Sequence, residues 1–322
     1  MFYYFRVAVA AIKSFGGSVM HLAKLKGEIL IIVAAILWGT LGVAGKLAYG
    51  YGCTPGQLML YRMLFIFPAI IYVLLRAKRE HIKYLLLFGA IIVTPFYLIY
   101  FYAVKFVGAS TAALILYTAP AYVAVMSAVF LKEKLNKIIV FSLIMALCGA
   151  ALVNLGEIVN LDLLGIFTAF SAALLYAMYI ITAKALISKG MASESVALVP
   201  YLSSIPILLA YALIVERHVL LDNLKQALLA LYLSLIPTGL AYVLYNIGLR
   251  SVQASRASIL STIEPVSATI LAWIFLGESI TILKALGAAL IVTSAIIVTK
   301  AQDQSGSSSQ NVSEINQKQN SN

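Results

Sequence analysis

Glu264 and Pro265 stand side by side in Ala257 to Leu276 (ASILSTIEPVSATILAWIFL), a stretch otherwise apolar or mildly polar. Twenty residues of helix measure about 30 Å, the thickness of a bilayer's hydrocarbon core, which puts Glu264 within about a turn of its middle. A carboxylate at that depth is costly unless it faces a wet cavity or a partner, so Glu264 is the first candidate for a substrate or coupling site. The alternative is a structural carboxyl bonded to a neighbouring hydroxyl or to backbone freed beside Pro265.

Other residues could share such a site. Arg62, early in its own apolar segment, could grip a carboxylate or phosphate with two parallel hydrogen bonds, or snorkel to the interface, the commoner fate near a helix end. Lys46 and Lys184 have the same two readings. Trp38, Tyr97, Tyr117, Tyr176 and Tyr242 lie deep in apolar segments and could line a cavity for an amphipathic solute. Asn246, Ser261 and Thr262 could hydrogen-bond that solute, or bond helix to helix. Pro120 and Pro265 each free a carbonyl four residues back, either as a packing kink or as paired gating elements.

Several chemistries are absent from the sequence. No GxxxxGKS or strand-to-helix GxGxxG occurs, which argues against ATP-driven work by this chain alone. His21, His81 and His218 fall in loop or leader positions and only one carboxylate lies deep, so an intramembrane enzyme lacks its usual cluster of acids or nucleophiles. A passive channel would need rings of like charge or a filter loop. No enzyme activity, metal or cofactor is expected. Cys53 and Cys148 form neither a disulfide framework nor a metal-ligand spacing.

The elements that must position these residues are membrane helices. Hydrophobic residues make up 62% of the 322-residue chain and charged ones 11%, against roughly 25% charged in soluble domains. The formal charge of +11 comes from short basic runs between apolar segments, which read as topology signals and not as a nucleic-acid surface. Ten segments are long enough to span: 29–48, 57–75, 84–104, 109–131, 138–155, 163–183, 195–215, 224–249, 257–276 and 280–299. With the N-terminus in the cytoplasm, 17 Lys and Arg fall inside and five outside, so both termini are expected there, in the cell membrane. The polar ERHVLLDN at 216–223 is expected to be an ordered external feature.

The chain repeats itself. Residues 103–133 laid on 248–278 match at eight positions, among them Ala109/Ala254, Ser110/Ser255, Pro120/Pro265 and Glu133/Glu278. Ala119 takes the place of Glu264, so carboxylate chemistry is one-sided. At an offset of 138, Ala34/Ala172, Leu37/Leu175, Trp38/Tyr176, Lys46/Lys184 and Pro68/Pro206 correspond. Five helices per copy is an odd number, so the second copy enters the membrane from the opposite side. Inverted repeats about an axis in the membrane plane place a transporter's site near the midplane. The expected fold is all-α, ten transmembrane helices in two inverted five-helix repeats: a cytoplasmic leader at 1–27, repeats at 28–156 and 157–300, and a disordered cytoplasmic tail at 301–322, rich in Ser, Gln and Asn.

LILYTAPAYVAVMSAVFLKEKL and SILSTIEPVSATILAWIFLGES, each followed by an apolar helix with a small-residue run (ALCGAALV; LGAALIV), resemble the paired helix 4 and helix 9 motifs of the drug/metabolite transporter superfamily, in its EamA branch. AILWGTLGVAGKLA resembles that family's first helix. The resemblance covers roughly 28–300 and implies a central cavity and alternating-access transport of a small metabolite, such as an amino acid, commonly outward. It carries over to Trp38, Pro120, Glu264, Pro265, Glu133 and Glu278. A sugar-phosphate or nucleotide-sugar exchanger is the alternative within transport. The expected partners are a small-molecule substrate and the bilayer, with protons as a candidate coupling ion and no nucleic acid; the sequence leaves the oligomeric state open.

Overall fold

A computed structural model describes the backbone of residues 20–155 and 162–319 and the side chains of 25–155 and 162–300. All regular structure among the described residues is helical, as lipid requires of a chain whose backbone polar groups must be satisfied within each segment. Among the described residues, ten apolar helices of the kind that can cross a membrane follow one another: α1 (Met20–Gly50), α2 (Pro55–Leu74), α3 (79–107), α4 (109–130), α5 (Lys137–Asn154), α6 (Leu163–Ser188), α7 (Ser193–Glu216), α8 (Leu224–Leu249), α9 (Ala254–Leu276) and α10 (Ile282–Gln319). Gly108, with φ 80°, separates α3 from α4 in what is otherwise one helical run.

The face where α1 begins is called terminal below and the opposite face distal. Residues 20–26 continue α1 as helix; the rest of the leader, and the join at 156 and 157, lie outside the described residues. The backbone of α10 remains helical to Gln319, through the segment whose composition predicts disorder.

Helix starts follow from the loop residues. Thr54 and Gln57 form a reciprocal capping box on α2, and the side chains of Asn136, Asp162 and Asn223 accept from the third backbone N–H of α5, α6 and α8. The 216–223 segment is ordered by bonds to the N-cap and first turn of α2: Glu216 accepts from Gly56 N (2.8 Å) and the Thr54 hydroxyl, and Gln57 Nε2 donates to the Leu220 carbonyl. Cys53 sits in the link between α1 and α2, where burial, and then the charge of Asp222, push its thiol pKa up.

The repeats grip each other. α1 lies against α8 and α9, its counterpart α6 against α3 and α4, and α5 crosses α10. Apolar burial cannot drive this in lipid, so close backbone approach must. A methyl built on Gly149 would come 2.7 Å from the Gly287 carbonyl oxygen, and one on Gly287 2.6 Å from that of Gly149. Gly149→Leu or Gly287→Leu is therefore expected to force α5 and α10 apart and destabilise by about 1–3 kcal/mol. Thermal unfolding of the purified protein checks this, and Gly42→Leu, where a Cβ meets nothing within 4 Å, is the control.

α3 and α8 each carry a widened turn, Gly89–Val93 and Ser234–Leu240, that begin 145 residues apart. In each a threonine hydroxyl donates to the carbonyl five residues back: Thr94 to Gly89 (2.9 Å) and Thr238 to Leu233 (2.7 Å). Pro237 has no N–H to give Leu233, so Thr238 supplies the missing donor. Such π turns commonly mark functional positions.

Candidate functional site

Tyr97 in α3 and Tyr242 in α8 are repeat counterparts, and their hydroxyls meet at 3.3 Å. Equivalent atoms can meet only on the axis that relates the repeats, so this contact marks that axis. A cavity of about 500 Å³ lies against it between the repeats and opens to the distal face. Lys46, Tyr49, Ala109, Ser110, Glu278 and Lys284 stand at the mouth. Trp38, Arg62, Phe96, Tyr97, Tyr176 and Tyr242 form deeper walls.

The helices that carry Pro120 and Pro265, α4 and α9, both break beside this cavity. α4 is interrupted at Tyr117 and Thr118 and α9 at Thr262; Tyr117 and Thr262, repeat counterparts, have ψ near zero. Pro120 and Pro265 follow in the first turn of the second half-helix, where the missing N–H costs least. The break leaves Glu264 on the first turn of one half-helix, part-exposed to the cavity, with the Tyr117 hydroxyl donating to its carboxylate.

Of the residues singled out in the sequence, Glu264, Trp38, Tyr97, Tyr117, Tyr176, Tyr242, Ser261, Thr262, Arg62, Pro120 and Pro265 all line this one cavity. The Ser261 and Thr262 hydroxyls are turned back onto the Ser258 and Ile259 carbonyls. Asn246 is not brought there. It is fully buried one turn beyond Tyr242, where its amide donates to the Tyr179 hydroxyl (2.7 Å) and the Tyr242 carbonyl (2.8 Å), the helix-to-helix alternative.

Arg62 does not snorkel. It sits about 10 Å into α2 by the helical rise, where its Nε donates to the Thr238 hydroxyl (2.9 Å) and its guanidinium lies 5.7 Å from the centre of the Tyr97 ring. Ser234 donates to its carbonyl (2.6 Å). The widened turn of α8 thus holds Arg62 by backbone and side chain together and points it at the cavity. Around it the rings interlock: Trp38 meets Tyr242 edge-on at 5.0 Å, Phe96 packs on Tyr176 at 5.6 Å, and the Tyr201 hydroxyl lies 3.3 Å from that of Tyr97.

The terminal face is shut by groups whose role the sequence did not reveal. Glu133, just past α4, accepts from Ala254 N (2.7 Å), Ser255 N (3.1 Å) and the Ser255 hydroxyl (2.9 Å) at the start of α9. Lys184, near the end of α6, donates to the carbonyl of Leu249 (2.6 Å), the last residue of α8, and to that of Val252 (2.8 Å) in the link to α9. The sequence signals were the repeat counterparts of the same type, Glu278 and Lys46, and the family motif that both glutamates match.

The EamA-like transporter family model matches twice, over residues 25–155 and 163–300. The chain belongs to the EamA-like transporter family. Relatives agree over most of their length. An uncharacterized transporter of Clostridium kluyveri is 27% identical over 84% of this chain and 92% of its own, and the transporter YwfM of Bacillus subtilis 27% over 86% and 96%. The inner membrane transporter YicL of Salmonella typhimurium is 24% identical over 85% of this chain and 95% of its own. A solved crystal structure shares the fold with a TM-score of 0.73 at 21% identity, over 86% of this chain and 98% of the other. The protein is thus a multi-pass membrane transporter, and the cavity between its repeats is where a small-molecule substrate has room to bind.

Proposed function

We propose that this transporter is a secondary carrier that exports a small zwitterionic metabolite, an amino acid or a close relative, by alternating access of the central cavity. The observation that carries this reading is the pairing of one guanidinium, Arg62, and one carboxylate, Glu264, on the walls of a single aromatic cavity. Arg62 takes the substrate carboxylate, Glu264 its ammonium group, and the apolar remainder lies among Trp38, Tyr97 and Tyr242. Both termini face the cytoplasm, as the Lys and Arg distribution favours, so the open mouth is extracellular and the membrane is that of the cell. A proton entering from outside competes with the ammonium group for Glu264, which couples proton entry to substrate release. The protein itself supplies no covalent chemistry in this cycle.

A phosphate-bearing substrate is the second reading. It calls for several deep cations, and among the described residues Arg62 is the one deep cation on the cavity wall; Lys46 and Lys284 stand at the mouth, Lys46 already paired with Glu278.

The test is counterflow of labelled amino acids, nucleobases and sugar phosphates by the full chain in proteoliposomes. Saturable exchange of one or more amino acids, unaffected by excess sugar phosphate, is the expected result. Exchange of sugar phosphates alone would replace the zwitterion by the second reading. Exchange that is indifferent to a pH gradient would remove the proton and leave the carrier.

A further inference from the structure

The two ends of the cavity are built from the same parts, and only one end is fastened. α4 and α9 finish in the same way: Lys132 and Gly277, 145 residues apart, adopt left-handed conformations (φ 57° and 68°). The next residue, Glu133 or Glu278, donates its N–H to the carbonyl six residues back, Ser127 (3.1 Å) or Ala272 (3.3 Å). This C-cap geometry projects both glutamates off their helix ends alike.

What the glutamates hold differs. Glu133 is fastened on the N–H groups of Ala254 and Ser255, while Lys184 sits on the last carbonyl of α8, that of Leu249, and on that of Val252 just beyond it. The counterparts of Ala254 and Ser255 are Ala109 and Ser110, at the open mouth: Ser255 is 1% exposed, Ser110 is half-buried and Ala109 is exposed. Glu278 is paired instead with Lys46, the counterpart of Lys184.

We propose that these are two alternating latches, one per face, of which the terminal one is closed here. The proposal rests on the alternating-access reading above. When the cavity turns over, Glu278 leaves Lys46 for the N–H groups of Ala109 and Ser110, and Lys46 takes the carbonyls of Val104 and Val107, the counterparts of Leu249 and Val252. Glu133 and Lys184 release theirs. Each closed latch matches a carboxylate to the positive start of one helix and an ammonium to the negative end of the one before it. Using one set of groups twice keeps the two closed forms near in free energy, as a carrier that must visit both requires.

The test uses the full chain in lipid nanodiscs, with Cys53 and Cys148 replaced by alanine and spin labels on two repeat-equivalent pairs of exposed sites. Lys105→Cys with Ser279→Cys spans the distal mouth, and Arg250→Cys with Lys134→Cys the terminal one. Glu133→Gln is expected to raise the ratio of terminal-open to terminal-closed molecules at least about tenfold, the effect of losing charge-assisted bonds, while the distal pair shortens in the same fraction. Glu278→Gln is expected to act in the opposite sense. Ser255→Ala, which removes one donor and keeps the carboxylate, should shift the ratio the same way as Glu133→Gln by a smaller factor, and carries the test if the latter does not fold. Two interconverting populations indifferent to all three variants, or Glu133→Gln and Glu278→Gln acting in the same sense, would overturn the latches and leave the carrier standing. A single population in wild type and every variant would overturn both.

Discussion

Glu264→Gln is expected to leave the transporter folded and able to exchange substrate, while erasing its response to a pH gradient. Glutamine has the shape of glutamate and can still accept the Tyr117 hydrogen bond through its amide oxygen, so the half-helix start before Pro265 keeps its partner. What it loses is the exchangeable proton. Ala119 stands where a second carboxyl would be, so one proton per cycle is the coupling expected. A gradient of two pH units acting through one proton sustains an accumulation ratio of about 100, since each unit is worth about 1.4 kcal/mol, a factor of ten. In Glu264→Gln that ratio should fall to about one. Counterflow persists at raised substrate concentration, because the ammonium group loses a charged partner but keeps the cavity. Accumulation measured in proteoliposomes at fixed gradient decides it: a ratio still near the wild-type value in the variant would remove Glu264 from the coupling step.

The architecture was legible because the bilayer restricts the alternatives. Each crossing must satisfy its own backbone, so ten apolar runs become ten helices, and the matches at offsets of 138 and 145 name helix pairs that carry the same features in the structure, such as the widened turns of α3 and α8. Helix ends moved, by three residues where α9 starts at Ala254 instead of 257 and by nine where α1 extends back to Met20 instead of 29. Gathering Trp38, Tyr97, Tyr117, Tyr176, Tyr242, Arg62 and Glu264 around one cavity was foreseeable from their depth and from the repeats meeting at mid-membrane. What a side chain faces is harder to read, since it depends on helix rotation. A helix hydrophobic all round has no polar stripe to fix that rotation. Hence Asn246, one turn past Tyr242, goes to Tyr179 and not to the cavity, and Arg62 is drawn inward by Thr238. The fastening at the terminal face lay further from view: Glu133 and Ser255 are far apart in sequence, and although the repeat and the family motif marked each of them, neither paired them with one another.

Arg62→Ala is the change expected to cost most in substrate affinity. Arg62 enters the cavity already oriented: Nε is committed to Thr238, its carbonyl to Ser234, and the Tyr97 ring lies beneath the guanidinium. A planar fork held by one edge presents its remaining N–H groups in a fixed direction, which suits a carboxylate bound by two parallel bonds and spares the binding step the entropy of arranging them. Removing one partner of such a pair in a largely desolvated site costs about 2–5 kcal/mol, so affinity should fall at least about thirtyfold. Arg62→Lys should recover little, because a single ammonium cannot hold Thr238 and a carboxylate with the same geometry. The substrate's methyl ester separates binding from scaffolding. Wild type should discriminate strongly against the ester, and Arg62→Ala should bind acid and ester alike, since the discrimination resides in the lost fork. If Arg62 merely ties α2 to α8, the variant would melt at lower temperature yet keep the full preference for the acid, and the carboxylate would have to be sought elsewhere on the cavity wall.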